Sequence, residues 1–221
     1  MGITANDVHN LEIVWNTKIH RNGGGGLQAG DILIHHGDEG KDWAEGIIGT
    51  FHCSILTSPN FRYHSTFTGS DPAGVRFSHM NGFSDAAAVF RLKDPNFSFY
   101  SKAAAKIAEK WGTGSNKVGY RGGKNLFKVV GHTLNTAIRS SSYGSDAKER
   151  LKKYKDRPDC RPKHVICSEF VVLCYQLAME ENSPAYPRID AKHCSPKYLE
   201  DYLMDSTHWD LIGVAAGEDY F

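Results

Sequence analysis

The sequence predicts an α+β fold in which an antiparallel sheet packs against helices. Three observations carry that expectation. Short β-type segments follow one another between residues 27 and 92, the apolar period becomes helical from Ser98 onward, and a last β-type run, Trp209 to Ala215, closes the chain.

Taken in order, the glycine run Gly23 to Gly26 leads through Gly30-Asp31 into Ile32-Leu33-Ile34, which reads as a short buried strand. A dinucleotide fingerprint needs its glycines after a strand and opening a helix, whereas these precede the strand. The later run Gly119 to Lys124 is followed by Asn125, so it lacks the Ser or Thr that a phosphate loop places after Gly-Lys. Phe51 to Thr57 and Phe61 to Phe67 flank Ser58-Pro59-Asn60, which has turn composition, and together they predict a hairpin. Gly74 to Phe77 and Ala87 to Leu92 read as further strands.

The stretch from Ala103 to Trp111 is strongly helix-forming, and Leu126, Val129, Val130, Leu134 and Ile138 predict a second helix over Asn125 to Arg139. Ser140 to Arg157 is polar and rich in Lys and Arg. A solvated helical face is the favoured reading of it, and an anion-binding patch is the alternative. A helix beginning near Ile166 carries Phe170, Val171, Cys174, Tyr175 and Ala178 on the stripe that starts at Cys167. Ser195-Pro196 caps and opens a helix running to Leu203. Residues 1–221 are expected to form one domain, with a helical, partly basic insertion around 98–158.

With 40% hydrophobic and 23% charged residues the composition is that of an ordinary globular chain, and a formal net charge of +1 gives no whole-chain attraction to nucleic acid or anionic membrane. No stretch approaches a membrane span, and Met1 to His20 has no uninterrupted apolar signal core. The expectation is synthesis in the cytoplasm, with any export through a machine that reads no N-terminal signal. The five cysteines, Cys53, Cys160, Cys167, Cys174 and Cys194, have no C-x-x-C spacing and suggest neither a disulfide framework nor a zinc knuckle.

Cys167 and Cys174 share an apolar stripe, where a free cysteine is ordinarily a small core residue. Cys167 differs because it falls in the first helical turn. Unpaired N–H groups and the positive end of the helix dipole favour a thiolate there. A thiol of ordinary pKa, about 8.5, needs a base within hydrogen-bond reach, and histidine is the natural supplier. Of the eleven histidines, His52 and His64 stand on the two arms of the predicted hairpin at an even separation, so an odd loop puts both on one face. Either can then serve as the base. Cys53, beside His52, is expected to face the other way, into the core. A metal site joining these histidines to His35 or His36 is a weaker alternative, since no H-E-x-x-H pattern or carboxylate partner accompanies them.

Gly30-Asp31-Ile32-Leu33, Phe51-His52-Cys53-Ser54-Ile55, Cys167-Ser168-Glu169-Phe170-Val171 and Ser195-Pro196 with Leu199 occur in an order that resembles the circularly permuted branch of the NlpC-type papain-like cysteine peptidases, relatives of YiiX and of lecithin retinol acyltransferase. The likeness spans roughly residues 27 to 215. It implies a permuted papain-like fold with Cys167 as nucleophile at a helix N-terminus, His52 as general base and His64 orienting that base, while Asp31 is structural. Many members carry a carboxylate in the third place, so a histidine there resembles the acyltransferase side.

The resemblance further implies cleavage of amide bonds in peptidoglycan stem peptides without a metal or organic cofactor. It also implies the life of a secreted antibacterial effector delivered by type VI secretion to the target-cell periplasm, with a cognate immunity protein. Two other functions stay open at this level: a thiol acyltransferase or thioesterase acting on lipid or protein acyl groups, and a non-catalytic binding protein in which Cys167 is only packed.

Overall fold

A computed structural model describes residues 10–16, 20, 26–36, 50–59, 61–68, 71–80, 86–113, 118–120, 143–157 and 159–217. Nine strands form one sheet among them: β1 (Ile13–Asn16), β2 (Ile32–His36), β3 (Thr50–Ser58), β4 (Phe61–Thr68), β5 (Asp71–His79), β6 (Ala86–Leu92), β7 (Gly119–Tyr120), β8 (His164–Val165) and β9 (Trp209–Ala216). Their spatial order is β1-β9-β6-β2-β3-β4-β5-β7-β8. The fold is α+β, but the sheet is mixed where an antiparallel one was expected, because β1 runs parallel to β9 and β8 parallel to β7 at the two edges. Neither pair is joined by a tight turn. β1 and β9 come from opposite ends of the chain, and more than forty residues separate β7 from β8, which frees both pairs from antiparallel geometry.

The run Ile32 to Ile34 is apolar without alternation because β2 lies mid-sheet and is buried on both faces along its length. Ile32 and Ile34 join Cys53, Ile55, Ala88 and Phe90 in the larger core beneath the helices. Leu33 joins Leu56, Ala87, Val89, Trp15 and Met80 in a smaller core on the opposite face. Gly30 leads into β2 at φ +94°, where a Cβ would lie 2.5 Å from that of Ser101, so only glycine fits this approach. Asp31 accepts from the Gln28 N–H at 2.7 Å and from both Arg91 Nε and NH2, at 2.7 and 2.6 Å, which ties β2 to β6.

Helix α1 (Ser98–Gly112) buries Ala104, Ala105, Ala108 and Trp111, and that small-residue face lets it pack closely on α3 (Cys167–Ala178). Helix α2 (Ser145–Lys155) buries only Ala147 and Leu151. Three of its five cations pair with acids: Lys148 with Glu181 at 2.7 Å and Lys153 with Glu149 at 2.7 Å on the solvated face, and Arg150 with the largely buried Asp190 at 2.5 Å. The segment 98–158, expected as a helical insertion, also returns to the sheet as β7; the helix expected over 125–139 lies outside the described residues.

Helix α3 departs from its expected single stripe, being buried at every position from Cys167 to Gln176. Its polar side chains are satisfied instead of solvated. Gln176 Nε2 donates to the Pro187 and Ile189 carbonyls at 2.9 and 2.8 Å, and Ser168 Oγ donates to the Cys194 carbonyl at 2.5 Å. The segment 180–195 thus covers the face that periodicity assigned to water. Helix α4 (Pro196–Asp205) starts as expected, with Ser195 Oγ accepting from the Tyr198 N–H at 3.1 Å and Pro196 in the first turn. Among the described residues no helix is long and apolar enough to cross a membrane.

Candidate functional site

Cys167 is the first residue of α3, two residues after β8 begins the turn from the sheet edge into the helix. Ile166 occupies the N-cap in extended conformation and offers no side-chain cap. The Glu169 carboxylate reaches back instead, accepting from the Ile166 N–H at 3.4 Å. That leaves the first-turn N–H groups of Cys167 and Ser168 without an intrahelical acceptor. Cys167 is 8% exposed, while Cys53, Cys174 and Cys194 are fully enclosed at 0%. Among these four residues it is therefore Cys167 that retains some exposure.

The surroundings of Cys167 separate it electrostatically from the other buried cysteines. Hydrogen bonding from the Cys53 thiol holds the Cys167 thiol well below its ordinary range, against the opposing cost of burial. The His52 imidazole adds a hydrogen bond and its charge, and the Cys53 backbone N–H a further hydrogen bond. Burial pushes the Cys53 thiol up, and its donation to Cys167 pushes it further. Cys194 is raised by burial and then by Cys167, Asp190 and Glu169, and Cys174 by burial alone. Of these four thiols, only Cys167 is poised toward the thiolate.

His52 comes from β3, where it pairs with His35 of β2, and their rings lie 5.1 Å apart at an interplanar angle of 58°. Cys53 pairs with Ile34 and belongs to the core beneath the helices. Strict alternation would send His52 and Cys53 to opposite faces, and the expectation that Cys53 turns away rested on it. The ladder shifts register just here, between His35 and His36, with His36 opposite Thr50. Cys53 does lie in the core, as expected, and its side chain and that of His52 both meet the Cys167 sulfur.

His64 lies in β4 opposite Arg76, and its side chain falls outside the described residues. The turn that leads to β4 is shorter than the odd loop considered from the sequence. Ser58 pairs with Phe61, leaving two residues between them, and a bulge between Leu56 and Ser58 supplies the extra residue. Upstream of that bulge Leu56 faces Arg62 and Ile55 faces Tyr63, the register an odd loop would have produced.

His35 and His36, weighed as metal ligands, have other partners. The His35 Nε2 lies 2.9 Å from Arg62 NH1 and 3.1 Å from Ser54 Oγ. His36 Nε2 meets Glu200 Oε1 of α4 at 2.7 Å, with both side chains buried, and Lys197 Nζ sits 3.1 Å from Glu200 Oε2. As consecutive strand residues they serve opposite faces. Among the described residues no group of three or more His, Cys, Asp or Glu side chains is arranged to hold a metal ion.

Three participants were not legible in the sequence: Cys53 as the thiol touching Cys167, Arg62 behind His35, and Glu200 beneath His36. The signal for Cys53 was its adjacency to His52. For Arg62 and Glu200 there was none, since each meets its partner across strands or from a helix more than 160 residues away in the case of Glu200. Comparison of the chain with family models, with curated proteins and with solved structures found no match.

Proposed function

We propose that this protein is a cysteine-dependent hydrolase with Cys167 as its nucleophile and His52 as the base beside it. One observation carries the reading: the thiol at the start of α3 is held toward its thiolate by Cys53 and His52, while its buried neighbours are held toward the neutral form. In this reading His52 takes the Cys167 proton and the thiolate attacks an amide carbonyl. The N–H groups of the first turn face the developing oxyanion, a type of contact whose loss costs about 3 to 4 kcal/mol in kcat elsewhere. The amine departs with the proton from His52. Water, deprotonated by His52, then opens the thioester, releasing the acid and restoring the thiol. His64 is assigned the orienting place by the family likeness alone.

The same likeness, a permuted papain-like arrangement with histidine before cysteine in the chain, points to peptidoglycan stem peptides as substrate and to an antibacterial effector exported by a specialised system. The test is digestion of purified peptidoglycan with mass analysis of the fragments, comparing the wild type with Cys167→Ala. Release of peptide fragments by the wild type and their loss in the variant is expected. Fragments that persist in Cys167→Ala would remove the nucleophile assignment. A Cys167 acyl thioester formed from lipid donors, with no fragment release, would replace the substrate class with acyl groups.

A further inference from the structure

On the sheet face opposite Cys53, three polar side chains are sealed into an apolar layer. His35 is 1% exposed, Ser54 0% and Arg62 9%. Such a group is costly to bury, and contacts within it offset part of that cost. Arg62 NH1 is 2.9 Å from His35 Nε2, and Ser54 Oγ is 3.1 Å from the same nitrogen. A guanidinium can only donate, so His35 Nε2 must carry the lone pair and its ring proton must sit on Nδ1. The geometry alone makes His35 neutral and fixes its tautomer. Burial first, and then the charges of Arg62 and His36, push the same imidazole well below its ordinary range. This ring lies beside that of His52, centroid to centroid 5.1 Å and tilted by 58°.

We infer that His35, clamped by Arg62 and Ser54, is a positioning residue that sets the ring orientation of His52 against Cys167. The inference rests on the reading of His52 as the base. It adds that the base is steadied from the preceding strand, by an imidazole held in its neutral form, in addition to anything β4 supplies. A ring that stays neutral cannot relay a proton, so His35 acts through packing and a fixed dipole. The cationic Arg62 behind it discourages any second positive charge on that side of the sheet.

The measurement is the rate of iodoacetamide alkylation of Cys167 from pH 5 to 8, read by mass spectrometry on the full chain, for wild type, His52→Ala, His35→Ala, His35→Gln and Arg62→Met. Melting curves establish that each variant is folded. His35→Ala and Arg62→Met are expected to slow alkylation at pH 6 by about ten-fold or more, the cost of a slightly misplaced partner, and to shift the pH profile toward that of His52→Ala. His35→Gln keeps an acceptor for Arg62 and recovers most of the rate. A purely structural role would lower melting temperature without moving the profile. If His35→Ala matches the wild-type profile while His52→Ala does not, the inference is overturned and the proposed base stands. If His52→Ala also matches, both fall. Should His35→Ala fail to fold, nitrogen NMR of the wild-type histidines decides: an unprotonated Nε2 on His35 down to pH 5 supports the clamp, and a protonated one overturns it.

Discussion

At the scale of single residues, the state of Cys167 depends more on its neighbours than on its place at the head of a helix. A first-turn position favours a thiolate modestly, and Glu169 in the same turn already answers part of the N-terminal potential. The thiol of Cys53 is the larger influence. Cys53→Ala removes that donor, so the Cys167 thiol should titrate at higher pH and less thiolate should be present at any pH below it. The alkylation profile of Cys167 is expected to move to higher pH, with the rate at pH 6 reduced, and a profile that does not move would show that Cys53 only packs. Cys167 could be singled out from the sequence because helix start and apolar stripe coincide there. The part of Cys53 could not: it was read as a core residue, which it is, but the sequence does not say that Cys167 is the neighbour it meets there.

At the scale of elements, the entry to β2 fixes how closely α1 and α3 approach the sheet. Gly30 sits against Ser101 of α1, and the Tyr175 hydroxyl of α3 donates to the Gly30 carbonyl. Gly30→Ala adds a Cβ where φ is +94° and where Ser101 Cβ and carbonyl oxygen would be 2.5 and 2.6 Å away. The variant should lose about 1 to 3 kcal/mol from strain at a positive-φ site, with more if α1 shifts, measured by urea unfolding. An unchanged midpoint would mean that α1 is free to give way. The elements themselves were mostly readable: the hairpin strands, the helix at Cys167 and the Ser195-Pro196 start all follow from period and capping. What period misjudged was α3, since a helix covered by a loop on its polar side shows the same stripe as one facing water.

At the scale of the whole molecule, the buried titratable groups confine the pH range of the fold. His35 is held below its unfolded value of about 6.5, so the native state resists its protonation while the unfolded chain accepts it. Its contribution is complete above that pH and is lost as pH falls, at up to about 1.4 kcal/mol per pH unit until the folded value is reached. Cys167, also lowered, adds stability above the unfolded thiol value of about 8.5 and loses it as pH falls through the folded one. Cys53, Cys174 and Cys194 are raised, so their contribution is full below about 8.5 and is lost as pH rises. Urea midpoints should therefore be highest between about 6.5 and 8.5. The acid side should be shallower in His35→Gln, which has no proton to gain; an acid limb identical to the wild type would show that His35 titrates normally.

The sequence by itself determined the α+β class, the order of most elements and the singling out of Cys167, because local period, turn composition and capping are written in neighbouring residues. Only the tertiary structure decided which groups surround that sulfur. The parallel edges of the sheet, the contact of His52 and Cys53 with the Cys167 sulfur, the Arg62 clamp on His35 and the Glu200 partner of His36 are all meetings of residues from different strands and helices. Such meetings are set by register and packing, to which no short stretch of sequence has access.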